Sequence, residues 1–415
     1  MNKTIRIVLY VLSILTVAGV IAAAILTGGQ AKPASAPGAT AKEEQAEMSD
    51  AEATLDGETT ADGSGISTDG AETAGEDGSI SENAATAGEN GSISDDAATA
   101  AGTGSASDET ANKDNQKDSG DTTIILTGDV LFANAFKAAY DAGGIERVVS
   151  PELLEQLKAA DILMVNNEFP FSDRGEPMAD KQFTFRCSPS YVRALNEMGV
   201  DIVSLANNHT LDYGRDALSD TFTTLDGAGI LYAGAGETKE RAYELQIIEK
   251  NGKKFGFLAA SRVVPESNWK VEERTPGMLT AYDDTKLVQL IKEARSGCDF
   301  LSVYIHWGVE YDAYPQDYQT KIATDCFNAG ADLILGAHTH CLQGISYISG
   351  KPVFYSLGNF VFGQNIDKTA AVKVQVSSDG TVSYGLLPVY AAGGTTKLMD
   401  TNSASALYQY MTQIS

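Results

Sequence analysis

Leu333-Ile334-Leu335-Gly336-Ala337-His338-Thr339-His340 is a short apolar run that stops on a polar, histidine-bearing turn. The same arrangement recurs along the chain. Ile124-Ile125-Leu126 leads to Thr127-Gly128-Asp129, and Ile162-Leu163-Met164-Val165 to Asn166-Asn167-Glu168. Ile202-Val203-Ser204-Leu205-Ala206 leads to Asn207-Asn208-His209. Phe300 through Ile305 leads to His306-Trp307-Gly308, and Pro352 through Leu357 to Gly358-Asn359-Phe360. Continuous apolar runs closed by turn residues predict strands buried on both faces. Between them, residues 151–160, 190–198, 216–228, 284–295 and 315–329 are predicted helices. Strands alternating with helices give an α/β class, in which ligands gather outside the carboxyl ends of the strands. Every polar cluster just quoted sits there.

The chain has four histidines, His209, His306, His338 and His340, and all fall at those strand ends. A lone histidine is usually a satisfied core or surface residue; four at one rim point to a shared task. Imidazole with Asp, Glu and Asn suits a divalent ion, Zn, Mn or Fe, and the scarcity of cysteine nearby argues against a structural thiolate zinc site. His338 and His340 project to one side if the backbone there is extended. A carboxylate bridging two ions about 3.5–4 Å apart can clamp a phosphoryl group and acidify a bound water.

Outward from these motifs the composition changes abruptly. The 415 residues carry a net charge of −26: residues 1–30 hold +2, residues 31–120 hold −16 and residues 121–415 hold −12. Such acidity excludes a sequence-independent grip on nucleic acid, which needs clustered Lys and Arg. Residues 7–26 lack charge and would span about 30 Å as a helix, the thickness of a bilayer core. Lys3 and Arg6 precede that run, so the expected arrangement is cytoplasmic N-terminus, retained anchor and exported remainder. A cleaved signal peptide is the competing reading; its apolar region would be only about 7–15 residues long. Residues 31–120 contain no Trp, Phe or Tyr and predict a disordered acidic linker. The expected domains are an anchor (1–30), the linker (31–120), a catalytic-sized domain (121–395) and a C-terminal tail (396–415).

The stretches Thr127–Phe132, Asn166–Pro170, Lys181–Arg186, Ser204–Gly214, His306–Tyr311 and Gly336–Phe360 resemble the CapA family of capsule and poly-γ-glutamate synthesis proteins. That family lies within the calcineurin-like metallophosphoesterase superfamily. The resemblance implies an αββα sandwich facing outward from the membrane. By position it implies Asp129 as a first-metal ligand and Glu168 as the bridging carboxylate. Asn208, His306 and His338 would complete the second metal, and His340 would return to the first. His209 would protonate the leaving group, with Asp212 orienting it. Where the superfamily has Asp-x-His on its first strand, this chain has Asp129-Val130-Leu131, so the first site is poorer by one nitrogen and one or two ions are expected.

Lys181 and Arg186 are candidate contacts for an anionic substrate, with ordinary surface charge the bland alternative. Glu310 could hold a substrate ammonium or orient His306, and Asn359 could shape the pocket floor. Cys187, Cys298, Cys326 and Cys341 show no disulfide spacing and are expected as buried thiols. The resulting expectation is a metal-dependent hydrolase or transferase acting on an anionic polymer or its precursor, with a membrane synthase complex as partner. A non-catalytic polymer-binding scaffold and a secreted phosphoesterase or nucleotidase are the rivals.

Overall fold

The first strand, β1 (Thr122–Val130), is buried along its length except for a half-buried Thr123, as a strand between two neighbours and two layers must be. The computed structural model describes residues 120–415. The expected anchor and, but for its last residue, the expected linker lie outside the described residues. Among the described residues no helix is long and apolar enough to cross a membrane.

After β1 come α1 (Asn134–Gly143), α2 (Ile145–Val148), α3 (Pro151–Lys158), β2 (Ile162–Asn167), α4 (Val192–Met198) and β3 (Ile202–Ser204). Next are α5 (Gly214–Ala228), β4 (Leu231–Ala233), β5 (Ala235–Gly236), α6 (Lys239–Tyr243), β6 (Gln246–Lys250), β7 (Lys253–Ser261) and β8 (Gly277–Met278). Then follow α7 (Thr285–Ala294), β9 (Phe300–His306), α8 (Asp317–Ala329), β10 (Leu333–Ala337), β11 (Ile345–Ile348) and β12 (Lys351–Phe354). The chain closes with β13 (Asn359–Val361), β14 (Ile366–Val376), β15 (Val382–Ala392), β16 (Thr395–Leu398) and α9 (Thr401–Ile414).

This is a mixed α/β fold built on two large sheets. One has the order β16-β15-β14-β1-β2-β3-β4, with β13 also paired to β1; the other runs β11-β12-β10-β9-β7-β6. Their facing side chains, among them Leu126, Phe257, Tyr304 and Leu335, share one buried cluster. The Tyr304 hydroxyl crosses between sheets to donate to the Thr127 carbonyl at 2.9 Å. Helices α7 and α8 cover the outer face of the second sheet through Leu287, Ile291, Ile322 and Cys326. All the parallel pairs of the first sheet involve β1, β2, β3, β4 and β13. In the second they join β7, β9, β10 and β12. Their carboxyl ends therefore gather the polar turns.

The expected helices form within a residue or two of the sequence reading. Ser150 caps α3, and Gln316 and Gln319 make a reciprocal capping box on α8. The C-terminal residues differ from the tail expected for 396–415. β16 crosses the 395/396 boundary and pairs with β15. Helix α9 follows, capped by Asp400, and buries Leu407, Met411 and Ile414 beside Leu342 and Ala370. That i, i+4, i+7 stripe is what gives these residues a core to join.

Two glycines let backbone segments approach the strand ends. A Cβ on Gly128 would lie 1.8 Å from the Gly358 carbonyl oxygen, and one on Gly336 would lie 1.9 Å from the Tyr355 oxygen and 2.2 Å from Trp307 Nε1. Backbone oxygen cannot step aside as a flexible side chain can. Gly336→Ala is expected to cost about 3 kcal/mol, a fall in Tm of roughly 5–10 °C. A melt superimposable on wild type would show that the strand yields more easily than this contact allows.

Candidate metal centre

Register places the first carboxylate. Asp129 lies opposite Asn166 of β2 on one side and Asn359 of β13 on the other. Asn166 Nδ2 donates to Asp129 Oδ1 at 2.8 Å, and the His338 N–H donates to Oδ2 at 3.2 Å. Glu168 follows the end of β2. Asp129, Glu168 and His340 form one group whose ligand atoms all lie within 4.8 Å of one another. Glu168, His306 and His338 form a second group with the same closeness. Glu168 belongs to both.

His338 and His340 reach different groups because the backbone between them is not extended, as the sequence reading had allowed. Both residues adopt positive φ, 95° and 54°. The turn sets their rings 6.1 Å apart and aims them at opposite halves of the cluster. Positive φ in a non-glycine residue costs energy that the surroundings must offset, and it concentrates at functional sites. His306 is the last residue of β9. Its Nε2 lies 2.7 Å from Asn208 Oδ1, which brings Asn208 to the second group. Asn359 Oδ1 accepts from His340 Nδ1 at 2.8 Å and so orients that imidazole.

These ionisable groups are buried. Burial, followed by the charge of Asp129, lifts the Glu168 carboxyl well above its ordinary value. Burial holds His306 and His338 well below theirs, leaving them neutral. Both Glu168 oxygens, His338 Nδ1 and Asn359 Nδ2 are buried without a hydrogen-bond partner. His306 Nε2 comes within 3.3 Å of Glu168 Oε1, but not in hydrogen-bonding geometry. Unsatisfied buried carboxylate oxygens cost several kcal/mol unless paired or bound to metal. Imidazoles and carboxylates with buried, unpartnered oxygen and nitrogen atoms are the donor set a divalent ion takes, and the arrangement is compatible with one.

His209 sits in a different network beside this cluster. Its Nδ1 lies 2.6 Å from Asp212 Oδ2, which also accepts from the Phe185 N–H at 2.7 Å. Asp212 Oδ1 binds the Lys181 ammonium, whose Nζ also donates to the Asn208 carbonyl at 2.5 Å. The Phe185 ring packs 4.5 Å from the imidazole. Burial lowers the pKa of His209 against the pull of Asp212. With Nδ1 engaged by Asp212, Nε2 is the nitrogen left for chemistry.

Lys181 is thus at the site, but tied to Asp212. Arg186 is elsewhere: it donates to the Arg174 and Gly175 carbonyls and stacks on Tyr213 at 4.3 Å, bracing a loop. Glu310 is half-buried, and its charge acts on Glu168, Lys181 and His340. None of the four cysteines is in a disulfide; Cys187 and Cys326 are buried, whereas Cys298 and Cys341 are only partly so. Sequence reasoning missed Asn166 and Asn207. Asn166 holds Asp129, and Asn207 donates to the Asn167 carbonyl at 2.9 Å while accepting from the His209 N–H at 3.0 Å. The signal was the paired asparagines at two successive strand ends.

The model of the family described as bacterial capsule synthesis protein PGA_cap matches residues 123–364. The chain belongs to that family. The match contains every residue of both ligand groups. The PGA biosynthesis protein CapA of Bacillus subtilis (strain 168) is 30% identical over 270 residues, 64% of this chain and 70% of the relative. The capsule biosynthesis protein CapA of Bacillus anthracis is 30% identical over 298 residues, 69% of this chain and 70% of the relative. A solved 5′-nucleotidase from Candida albicans SC5314 aligns over 71% of this chain and 54% of its own at 10% identity and TM-score 0.36, too distant to inform the chemistry of this capsule-family member.

Proposed function

We propose that this chain is a membrane-anchored, outward-facing metal-dependent hydrolase or transferase with a metallophosphoesterase-like sandwich. Its role is in making, exporting or attaching an anionic envelope polymer such as poly-γ-glutamate; its Bacillus relatives are named for PGA biosynthesis and for capsule biosynthesis. The observation that carries the reading is Glu168, shared by two ligand groups with both oxygens buried and unpartnered. Asp129, Glu168, His340, His306 and His338 would hold the metal, Zn, Mn or Fe, with Asn208 beside His306. A divalent ion there supplies Lewis acidity and a nucleophilic water at neutral pH. Asp212 accepts from His209 Nδ1 and favours the imidazolium against burial, and in that protonated form His209 Nε2 delivers its proton to the leaving group at a phosphoester or amide-like bond. Phe185 and Lys181 keep Asp212 and His209 in register.

One observation favours a polymer-binding subunit without turnover. The buried Leu131 stands where a histidine would complete the Asp129 half, leaving that half a single nitrogen. His209→Ala decides between the two. It should retain its metal by mass spectrometry and lose about 10²–10⁴-fold in hydrolysis of a phosphodiester chromogen or a γ-glutamyl oligomer. Unchanged turnover removes His209 from the mechanism, and a metal-loaded wild type without turnover supports the binding subunit.

A further inference from the structure

Arg262 is the first residue past β7, and its backbone N–H donates to the His306 carbonyl at 2.8 Å. It therefore stands at the rim that carries the metal ligands. Its guanidinium lies 3.5 Å over the ring of Tyr282 and 4.8 Å from that of Tyr318. Tyr282 is 73% exposed. Arg174, Arg241 and Arg295 each have a carboxylate partner, while Arg186 and Arg215 are spent on backbone carbonyls. Arg262 has no carboxylate or carbonyl partner for its side chain among the described residues. Aromatic faces fix the plane of a guanidinium without consuming its N–H donors, so its forked edge stays free for a planar anion.

A second observation extends the path. The segment that leads to Tyr282 pairs through Thr280 with Ser261, the residue before Arg262, and through Met278 with Lys270. Lys270 lines an open cavity of about 760 Å³ together with Lys239, Arg274 and Lys286. Glu272 and Glu273 also face it, and Lys239 ties up Glu273 at 2.9 Å. Four cations against two carboxylates are a local reversal of sign in a domain of charge −12. A polyanion cannot use the average field of this surface, but it can use this strip.

We propose that Arg262, shelved on Tyr282 and Tyr318, and the cationic cavity around Lys270 form a subsite that holds the carboxylates of an acidic oligomer beside the metal centre. Arg262 takes one carboxylate by two parallel N–H···O bonds. The cavity lysines take later carboxylates as point charges. The proposal rests on the polymer reading above for the identity of the repeating acid.

The test is fluorescence anisotropy of a labelled γ-linked glutamate decamer on the full-length chain, with metal content measured on each sample. Arg262→Ala should weaken binding about tenfold, as loss of a charge-assisted pair does. Arg262→Lys should be intermediate, keeping the charge and losing the fork, and Lys270→Ala should weaken binding further when combined with Arg262→Ala. Lys292→Ala, an exposed charge on α7, should change nothing. Equal binding by Arg262→Ala, an equal loss in Lys292→Ala, or no binding of the decamer by wild type overturns the subsite. Metal content is independent of these results: a subsite that fails with metal retained leaves the metal centre standing, and absent metal in wild type sinks that reading instead.

Discussion

Glu168→Gln is expected to strip metal from both halves of the centre, whereas His340→Ala should strip only the Asp129 half and His338→Ala only the His306 half. This pattern follows from membership: Glu168 is in both ligand groups and each histidine in one. Losing the carboxylate should weaken each half by more than about 100-fold, beyond the 10–100-fold typical of losing a group that merely orients a ligand. Elemental mass spectrometry after gel filtration reads the outcome directly. Wild type holding one ion would fit the leucine at position 131, and the Glu168 variant should then hold none. A Glu168→Gln protein with full metal content would falsify the bridging role.

The same residue makes the metal-free protein sensitive to pH. Burial and Asp129 raise the Glu168 pKa well above its ordinary 4.5. For His340, burial opposes the charge, but the Asp129 carboxylate 3.5 Å from its Nδ1 leads the groups that outweigh it, and its pKa also rises from its ordinary 6.5. Both groups hold protons in the folded state that the unfolded chain releases, so their contribution to stability is present at low pH and lost as pH rises. His306 and His338 act in the opposite sense, being neutral when folded, but only below their ordinary 6.5. Above that value the slope belongs to Glu168 and His340. Chelator-treated wild type should lose up to about 1.4 kcal/mol of stability per pH unit for each full proton. Glu168→Gln should be flatter, and the gap between the two should widen with pH. Saturating metal should abolish the loss, because the ion replaces the proton. Parallel melting curves for the two metal-free proteins would contradict the assignment.

How much of this was legible beforehand depends on strand type. Strands buried on both faces announce themselves as unbroken apolar runs, which is why β1, β2, β3, β9 and β10 and their terminal polar residues could be read directly. The hairpin of β14 and β15 was not. Val372, Val374 and Val376 alternate with Lys373 and Gln375, and one face of each strand is only partly buried. Such alternation marks a half-buried strand, but it ends on no polar cluster to draw attention to it. The residues of the two candidate ligand groups were legible by type and place, but their hydrogen-bond partners were not. That Arg186 turns to a loop and Lys181 to Asp212 depends on a segment of irregular backbone, whose path no periodicity encodes. Arg262 escaped notice because an arginine without a motif carries no signal until its neighbours are known.

The peptide between the two ligand histidines has one more attachment. Thr339 is fully buried, and its carbonyl accepts from the Tyr311 N–H at 2.8 Å. The segment that carries Glu310 and the exposed Tyr311 is thereby hinged to the middle of the His338–His340 turn. That single backbone contact therefore ties an exposed edge of the protein to the turn that sets both rings.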